Sequence, residues 1–167
     1  MSGGARLPHL VLLFFVACTL AGCGFQLRGA ATADPGLSPM RIESVRTGSP
    51  LLPPLRRSLG NAGVAVVGAG VPASTTLRIV AEESGERVIA LSPQGRPREV
   101  ELTYRVEFEL YADGLLLVER TELALSREYA VNERDVLGKS HEAEVLRAAL
   151  LHDMVSALVR RVTAASP

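Results

Sequence analysis

The chain contains few of the residues that support enzyme or redox chemistry. It has no tryptophan, two cysteines, three histidines and a single lysine, Lys139, among 167 residues. Its 18 basic and 18 acidic residues balance to a net charge of zero. Nucleic-acid-binding domains normally carry a basic stripe on one face. The composition therefore predicts a protein that has no nucleic-acid partner.

Two patterns that suggest a metal or a cofactor fail on spacing or context. His141 and His152 are separated by about 16 Å along one predicted helix, which is too far for a shared metal ion. The stretch Gly68–Ala73 has the glycines of a dinucleotide loop, but Pro72 stands where a helix must begin. Both patterns fit ordinary surface or loop residues better.

An acidic cluster and a serine nucleophile are the remaining candidates for catalysis. Glu82, Glu83 and Glu86 could hold a metal ion, but a solvated turn around Gly85 fits them better. No Gly-x-Ser-x-Gly elbow marks a nucleophile. The sequence therefore predicts no enzyme, no metal site and no cofactor.

The N-terminus has the form of a bacterial export signal. The apolar run from Leu10 to Leu20 is about 16 Å long as a helix, roughly half the thickness of a bilayer core. The next residues complete the lipobox Leu20-Ala21-Gly22-Cys23, in which small side chains precede the cysteine that receives the lipid. An ordinary secretory signal that ends near a cysteine is the alternative. We predict a lipoprotein signal peptide at 1–22 and a lipid anchor at Cys23.

The predicted anchor has consequences for location and for folding. One acyl chain binds a membrane marginally, whereas the several chains of a mature lipoprotein anchor it stably. Gly24 stands where an aspartate commonly retains such proteins in the inner membrane, so we predict the periplasmic side of the outer membrane. Because Cys18 leaves with the signal, Cys23 is the only thiol of the processed chain, and no intramolecular disulfide can form.

The rest of the chain predicts one folded domain at 41–163, between a flexible acylated tether at 23–40 and a C-terminal tail at 164–167. Turn-forming residues fill the tether, with no apolar period. Prolines and leucines then favour a short helix, and a longer helix is predicted from His141 to about Val162, capped by Ser140. Short strands are predicted at 42–47, 64–67, 75–82 and 87–91.

The strongest pattern is a β-hairpin. From Glu99 to Leu110, apolar and polar residues alternate with a period of two, and Asp113-Gly114 supplies a type I′ turn into a strand at 115–129. A two-residue turn predicts that paired residue numbers sum to 227. In that register Phe108 faces Glu119, an unfavourable pair that indicates a bulge. The fold class is α+β, with two helices packed on one face of a roughly four-stranded mixed sheet, a two-layer sandwich.

Three basic residues are candidates for binding an anion. Arg96 and Arg98 lie on and after a proline-rich loop at 92–97, and Lys139 precedes the last predicted helix. Arginine forks suit phosphate groups, and lysine supplies a compact charge. The alternative is that they are ordinary solvated charges.

The segment from Leu20 to Gly29, which reads Leu-Ala-Gly-Cys-Gly-Phe-Gln-Leu-Arg-Gly, resembles the start of the LPS-assembly lipoprotein LptE family. The order of a leucine-rich helix, two strands, a long hairpin and a terminal helix preceded by Lys139 is similar as well. Some members place an aromatic–basic pair before the hairpin glycine. Here Ser92 and Pro93 stand in that place, and Arg96 and Arg98 follow Gly95.

The resemblance implies a non-enzymatic role. LptE-like proteins plug and help assemble the outer-membrane β-barrel of LptD, and they bind lipopolysaccharide during its transport to the cell surface. The family's lysine before the last helix is implicated in lipopolysaccharide binding, which assigns Lys139 that role, with Arg96 and Arg98 as further contacts. The alternative function is a free-standing periplasmic lipoprotein that binds a small ligand or peptide in an apolar pocket under the helices.

Overall fold

The computed structural model describes residues 34–131 and 136–165, excluding the side chains of residues 136–141. The predicted signal peptide, Cys23 and the first part of the predicted tether lie outside the described residues. The elements follow in the order of a 3₁₀ helix (Pro35–Leu37), β1 (Met40–Ser44), α1 (Leu52–Asn61), β2 (Val66–Val67), β3 (Thr75–Leu91), β4 (Pro97–Ala112), β5 (Leu115–Ala130) and α2 (Val136–Thr163).

The strands form one mixed sheet in the order β2-β1-β3-β4-β5. β1 runs parallel to β2 and β3, whereas β3, β4 and β5 are antiparallel to one another. The predicted α+β class and the two helices are confirmed. The sheet has five strands instead of roughly four, because Val66–Val67 pairs with the start of β1.

The core lies between the sheet and the two helices. Alternate residues of β4 point into it, and Phe108, Val106 and Leu110 are fully buried there. The helices contribute one stripe each, since apolar side chains recur at helical spacing. These are Leu55 and Leu59 from α1 and Leu150, Met154, Leu158 and Val162 from α2.

Defined structure begins before residue 41, inside the segment predicted as tether. Asp34 Oδ1 accepts a hydrogen bond from the Gly36 backbone N–H at 2.8 Å, which closes the first turn of the 3₁₀ helix. That turn directs Leu37 inward, where it is fully buried. The turn-forming residues were interpreted from composition as a tether, but here they position an apolar anchor for the domain.

β3 is one continuous strand, which corrects the prediction of two strands joined by a solvated turn. Glu82, Glu83 and Glu86 lie within it and pair with β4. β1 pairs with β3 only as far as Ile79. Beyond that residue β3 has β4 on one side and, within the described residues, no strand on the other. We call this segment, residues 80–91, the free edge of β3.

The β4–β5 hairpin has the predicted turn but not the predicted register throughout. Asp113 and Gly114 have φ angles of 48° and 81°, as a type I′ turn requires, and Ala112 pairs with Leu115. Irregularities follow on either side of Leu110, so that Tyr104 faces Leu125 instead of Leu123. The bulge indicated near Phe108 is present, and it shifts every later pair by two.

α2 begins at Val136, earlier than the predicted start at His141. Ser140 therefore lies inside the helix and is not its N-cap. Lys139 lies in the first turn instead of before the helix, and its side chain is outside what the structure describes. The apolar pattern used for the prediction is weak before Ala143, which is why the sequence placed the start too late.

Candidate functional site

The β3–β4 connection ends the sheet in a tight turn. The Gly95 N–H donates to the Ser92 carbonyl at 2.9 Å, and the Ser92 N–H donates to the Arg96 carbonyl at 2.8 Å. The Arg96 N–H also donates to Ser92 Oγ at 3.2 Å. Pro93 fixes one corner of the turn, and Gly95 has a φ of 77°, which side-chain-bearing residues rarely adopt. This turn forms the loop at 92–97, which the sequence predicts to be stiff and projecting.

Arginines and exposed apolar side chains lie together at this end of the β3–β4 hairpin. Arg96 and Arg98 are exposed, and Arg87 pairs with Glu101 across the strands. Beside them the apolar side chains Val88, Ile89 and Leu91 are 48%, 39% and 60% exposed. We call residues 87–98 the hairpin tip. A surface that offers guanidinium groups next to apolar side chains suits an amphiphile with an anionic head.

The third predicted residue, Lys139, is placed only by its backbone. Val131, at the end of β5, donates from its N–H to the Arg98 carbonyl at 2.7 Å. α2 begins five residues later, so Val136 is at most about 18 Å from Val131. Chain connectivity therefore keeps the first turn of α2 at the same end of the sheet as the hairpin tip.

Between the hairpin tip and the core, a buried carboxylate holds β3 against β4. The Glu82 side chain is 1% exposed and accepts a hydrogen bond from the Tyr104 hydroxyl at 2.7 Å. Arg46 Nη1 lies 3.5 Å from the same Glu82 oxygen, and the second oxygen, Oε2, has no hydrogen-bond partner. Burial, followed by the hydrogen bond to Glu82, raises the pKa of Tyr104 well above its usual range.

A cavity of about 420 Å³ lies between α2 and the β3–β4 pair. Its walls include the buried side chains Leu102, Tyr104 and Leu150, with Leu151 and Ala148 nearer to solvent. Cavities of roughly 300–1,000 Å³ with mainly apolar walls are typical of small-molecule sites. This cavity was not located by the sequence, although the rival ligand-binding function required one under the helices.

An ion pair stands at the mouth of this cavity. Arg147 of α2 donates to Glu86 of β3, and the two side chains are 51% and 45% exposed. The pKa of Tyr129 of β5 is raised, first by burial and then by the negative charge of nearby Glu86. The prediction of a solvated turn around Gly85 left Glu86 without a partner, whereas the continuous β3 strand places it beside Arg147.

The opposite face of the sheet is open and polar. A depression of about 470 Å³, as open to solvent as the cavity under α2, crosses it where the side chains are small, at Gly85, Thr103, Ala124 and Ser126. Further along, Glu109 Oε1 lies 3.3 Å from Arg120 Nε. The Tyr111 hydroxyl donates a 2.9 Å hydrogen bond to Glu109 Oε2, which lowers the pKa of that carboxyl. The two depressions lie back to back across Gly85 and Thr103.

Within the part of the chain that the structure describes, no cluster of three or more histidine, cysteine or acidic residues is placed to hold a metal ion. His152 is exposed on α2. Among the described helices, none is both long and apolar enough to cross a membrane.

The fold and the site define a small α+β sandwich that presents a basic hairpin tip and an apolar cavity, features of a binding domain. A family model described as "LptE: Lipopolysaccharide-assembly" matches residues 36–162. That range includes every strand of the sheet, all of α1 and all of α2 except its last residue. The chain belongs to this family.

Relatives and solved structures agree with the assignment. The LPS-assembly lipoprotein LptE of Yersinia enterocolitica is 27% identical over 157 residues, covering 92% of this chain and 74% of the relative. The Yersinia pestis protein of the same name is 27% identical over 153 residues, covering 91% and 73%.

Among solved structures, an uncharacterized lipoprotein B from Nitrosomonas europaea has a TM-score of 0.73 and 28% identity. The match covers 84% of this chain and 91% of that one. The rare lipoprotein B of Shewanella oneidensis has a TM-score of 0.65 at 23% identity, covering 75% and 93%, and supports the fold alone.

Proposed function

We propose that this protein is an outer-membrane lipoprotein that plugs and helps assemble an LptD-like β-barrel and binds lipopolysaccharide on its way to the cell surface. It is anchored through acyl chains on Cys23 at the periplasmic side of the membrane. The observation that carries this proposal is the family match, which extends over residues 36–162 and thus over the whole sandwich.

The charge distribution supports a role as a plug. The open sheet face carries alternating charges, with Arg105 paired to Glu122 and Arg120 to Glu109. Large outer-membrane barrels have polar interiors, so a polar sheet face is compatible with such a lumen. The role is one of binding and scaffolding, not catalysis, and it requires no cofactor.

The barrel partner can be tested by affinity purification of the full acylated chain from solubilised outer membranes. We expect a large β-barrel protein to co-purify in stoichiometric amount. A Cys23→Ser variant is the matched control for the anchor, since it keeps the folded domain but loses the acyl chains. Recovery of the chain alone would exclude the plug function and leave the free-standing lipoprotein.

The lipopolysaccharide contacts can be tested by replacing Arg96, Arg98 and Lys139 with alanine together. Charge-assisted hydrogen bonds contribute about 1.5–3 kcal/mol each, so the triple variant should bind lipopolysaccharide at least about tenfold more weakly. Arg56→Ala combined with Arg57→Ala on α1 is the control, because these arginines are equally exposed but lie on another element. Equal affinity in both variants would make the three residues ordinary surface charges.

A second candidate function is a free-standing periplasmic lipoprotein that binds a small ligand. The specific observation in its favour is the apolar cavity of about 420 Å³ under α2, where such a pocket was expected. The co-purification experiment distinguishes the two, because this function predicts no stoichiometric barrel partner.

A further inference from the structure

The cavity between α2 and the sheet is separate from the hairpin tip and has a different chemistry. The tip offers charges to solvent, whereas the cavity offers mainly apolar surface. Leu102 and Leu150 are 1% and 3% exposed, so they form the floor beneath the cavity and belong to the packed core. The apolar surface that a ligand can reach comes from Pro50, Ala148 and Leu151.

The size and shape of the cavity select the occupant. About 420 Å³ is near the lower end of the range for small-molecule sites, so the cavity admits one slender group and excludes a multi-chain lipid as a whole. Its lining is mainly apolar, with hydroxyl groups from Ser84, Thr103 and Tyr104 among it. Its charged groups, Glu86 and Arg147, stand together as an ion pair. An acyl chain that leads from an anionic head has this same order of apolar and charged parts.

The ion pair at the mouth can accept that head without being rebuilt. Arg147 uses its Nη2 to bind Glu86, and the side chain remains 51% exposed. A guanidinium carries five N–H donors in a planar fork, so it can bind a carboxylate and a phosphate at once. Glu86 stays compensated in this arrangement, because Arg147 remains paired with it.

We propose that this cavity binds one acyl chain of the lipid anchor of lipopolysaccharide, with an anionic group of the same molecule at Arg147. The inference rests on the proposed function, since that function supplies the lipid. The cavity is then a second lipopolysaccharide contact, besides the hairpin tip. The tip holds charged groups, and the cavity holds one of the chains that otherwise drive aggregation.

The test places a photo-crosslinking residue, p-benzoylphenylalanine, at Ala148 in the full chain in living cells. Ala148 lines the mouth of the cavity. The matched control is the same residue at Ala124, which lines the depression on the opposite face of the sheet. After irradiation, we expect a lipopolysaccharide adduct at position 148 in about tenfold or greater yield than at position 124. Mass spectrometry identifies the adduct.

A second substitution blocks the cavity from the strand side. Ser84→Trp should lower the yield at position 148 by about tenfold, because the indole occupies the space of several methylenes. Ser126→Trp, which fills the opposite depression, should leave it unchanged. Circular dichroism of each variant verifies the fold, and Leu151→Trp, which fills the same cavity from α2, replaces Ser84→Trp if the latter fails to fold.

The outcomes separate this inference from the proposed function. Equal yields at 148 and 124, or an adduct at 148 that is a phospholipid or a protein, would overturn the acyl-chain site. If lipopolysaccharide is captured by the same probe at position 98 but not at 148, the cavity proposal fails while the proposed function stands. Failure to co-purify a barrel would instead remove the proposed function itself.

Discussion

The two ends of β3 have opposite environments although they belong to one strand. From Thr75 to Ile79, β3 lies between β1 and β4 and buries Leu77 and Ile79 completely. From Val80 to Leu91, the free edge of β3, the strand pairs only with β4 among the described strands, and its charged side chains other than Glu82 are exposed. The first region holds the fold together, and the second exposes charged groups to solvent. The comparison shows that one strand passes from the core of the sheet to its surface.

The largest expected effect comes from the buried region. Phe108 pairs with Ile79 and is fully buried, so Phe108→Ala should lower the free energy of unfolding by about 3–5 kcal/mol. Leu91→Ala at the hairpin tip is the control, since Leu91 is 60% exposed and should change stability by about 0.5 kcal/mol or less. Urea unfolding measures both. Similar losses would mean that the tip is packed as firmly as the core.

An intermediate effect is expected at the junction of the two regions, where Tyr104 holds buried Glu82. Tyr104→Phe should cost about 1–3 kcal/mol near pH 7, because it leaves a buried carboxylate with one fewer donor. The raised pKa of Tyr104 means that folding favours the protonated hydroxyl. Its contribution is therefore complete below about pH 10 and is lost as the pH rises above that value.

Urea unfolding at several pH values checks this expectation. The decline in stability above about pH 10 should be shallower in Tyr104→Phe than in the parent chain. Some slope should persist, because the pKa values of Tyr111 and Tyr129 are raised as well. Tyr111→Phe is the control, since its hydroxyl binds Glu109 on the open face and its loss should matter less at pH 7. An unchanged slope in Tyr104→Phe would contradict the account.

The smallest effect is expected from the exposed ion pairs on the open face of the sheet. Arg105 Nε lies 3.5 Å from Glu122, and both side chains are about half exposed. A double-mutant cycle with Arg105→Ala and Glu122→Ala should give a coupling of about 0.2–1 kcal/mol, falling toward zero at high salt. A larger coupling that persists in salt would show that this face is less open than its exposure indicates.

The sequence predicted those parts of the fold that are determined by neighbouring residues. The alternation along β4 and the Asp113-Gly114 turn gave the hairpin correctly, since both signals lie within neighbouring residues. The unfavourable pair at Phe108 indicates a bulge, but it does not give the number of residues by which the register shifts beyond Leu110. The continuity of β3 was not predicted either. Its polar residues 82–86 are strand residues only because β4 pairs with them.

The candidate site also has one part that the sequence could predict and another that it could not. Arg96 and Arg98 could be selected from the sequence, because basic residues beside prolines and a glycine indicate a projecting turn. The cavity could not, because its walls come from three elements that are far apart in the chain and meet only after packing. Buried Glu82 gave no signal at all, since an acidic residue in a polar run has the composition of a solvated turn.

The free edge of β3 also sets a limit on how much of this protein a cell can hold unassembled. An uncovered strand edge is a template on which another strand can add, and charges and bulges are the usual safeguards against it. Here Glu83, Glu86 and Arg87 supply the charges, and irregularities interrupt the ladder near Ala81 and Ala90. Such features oppose edge-to-edge association. The solubility of this chain therefore depends on how much of it is present with that edge uncovered.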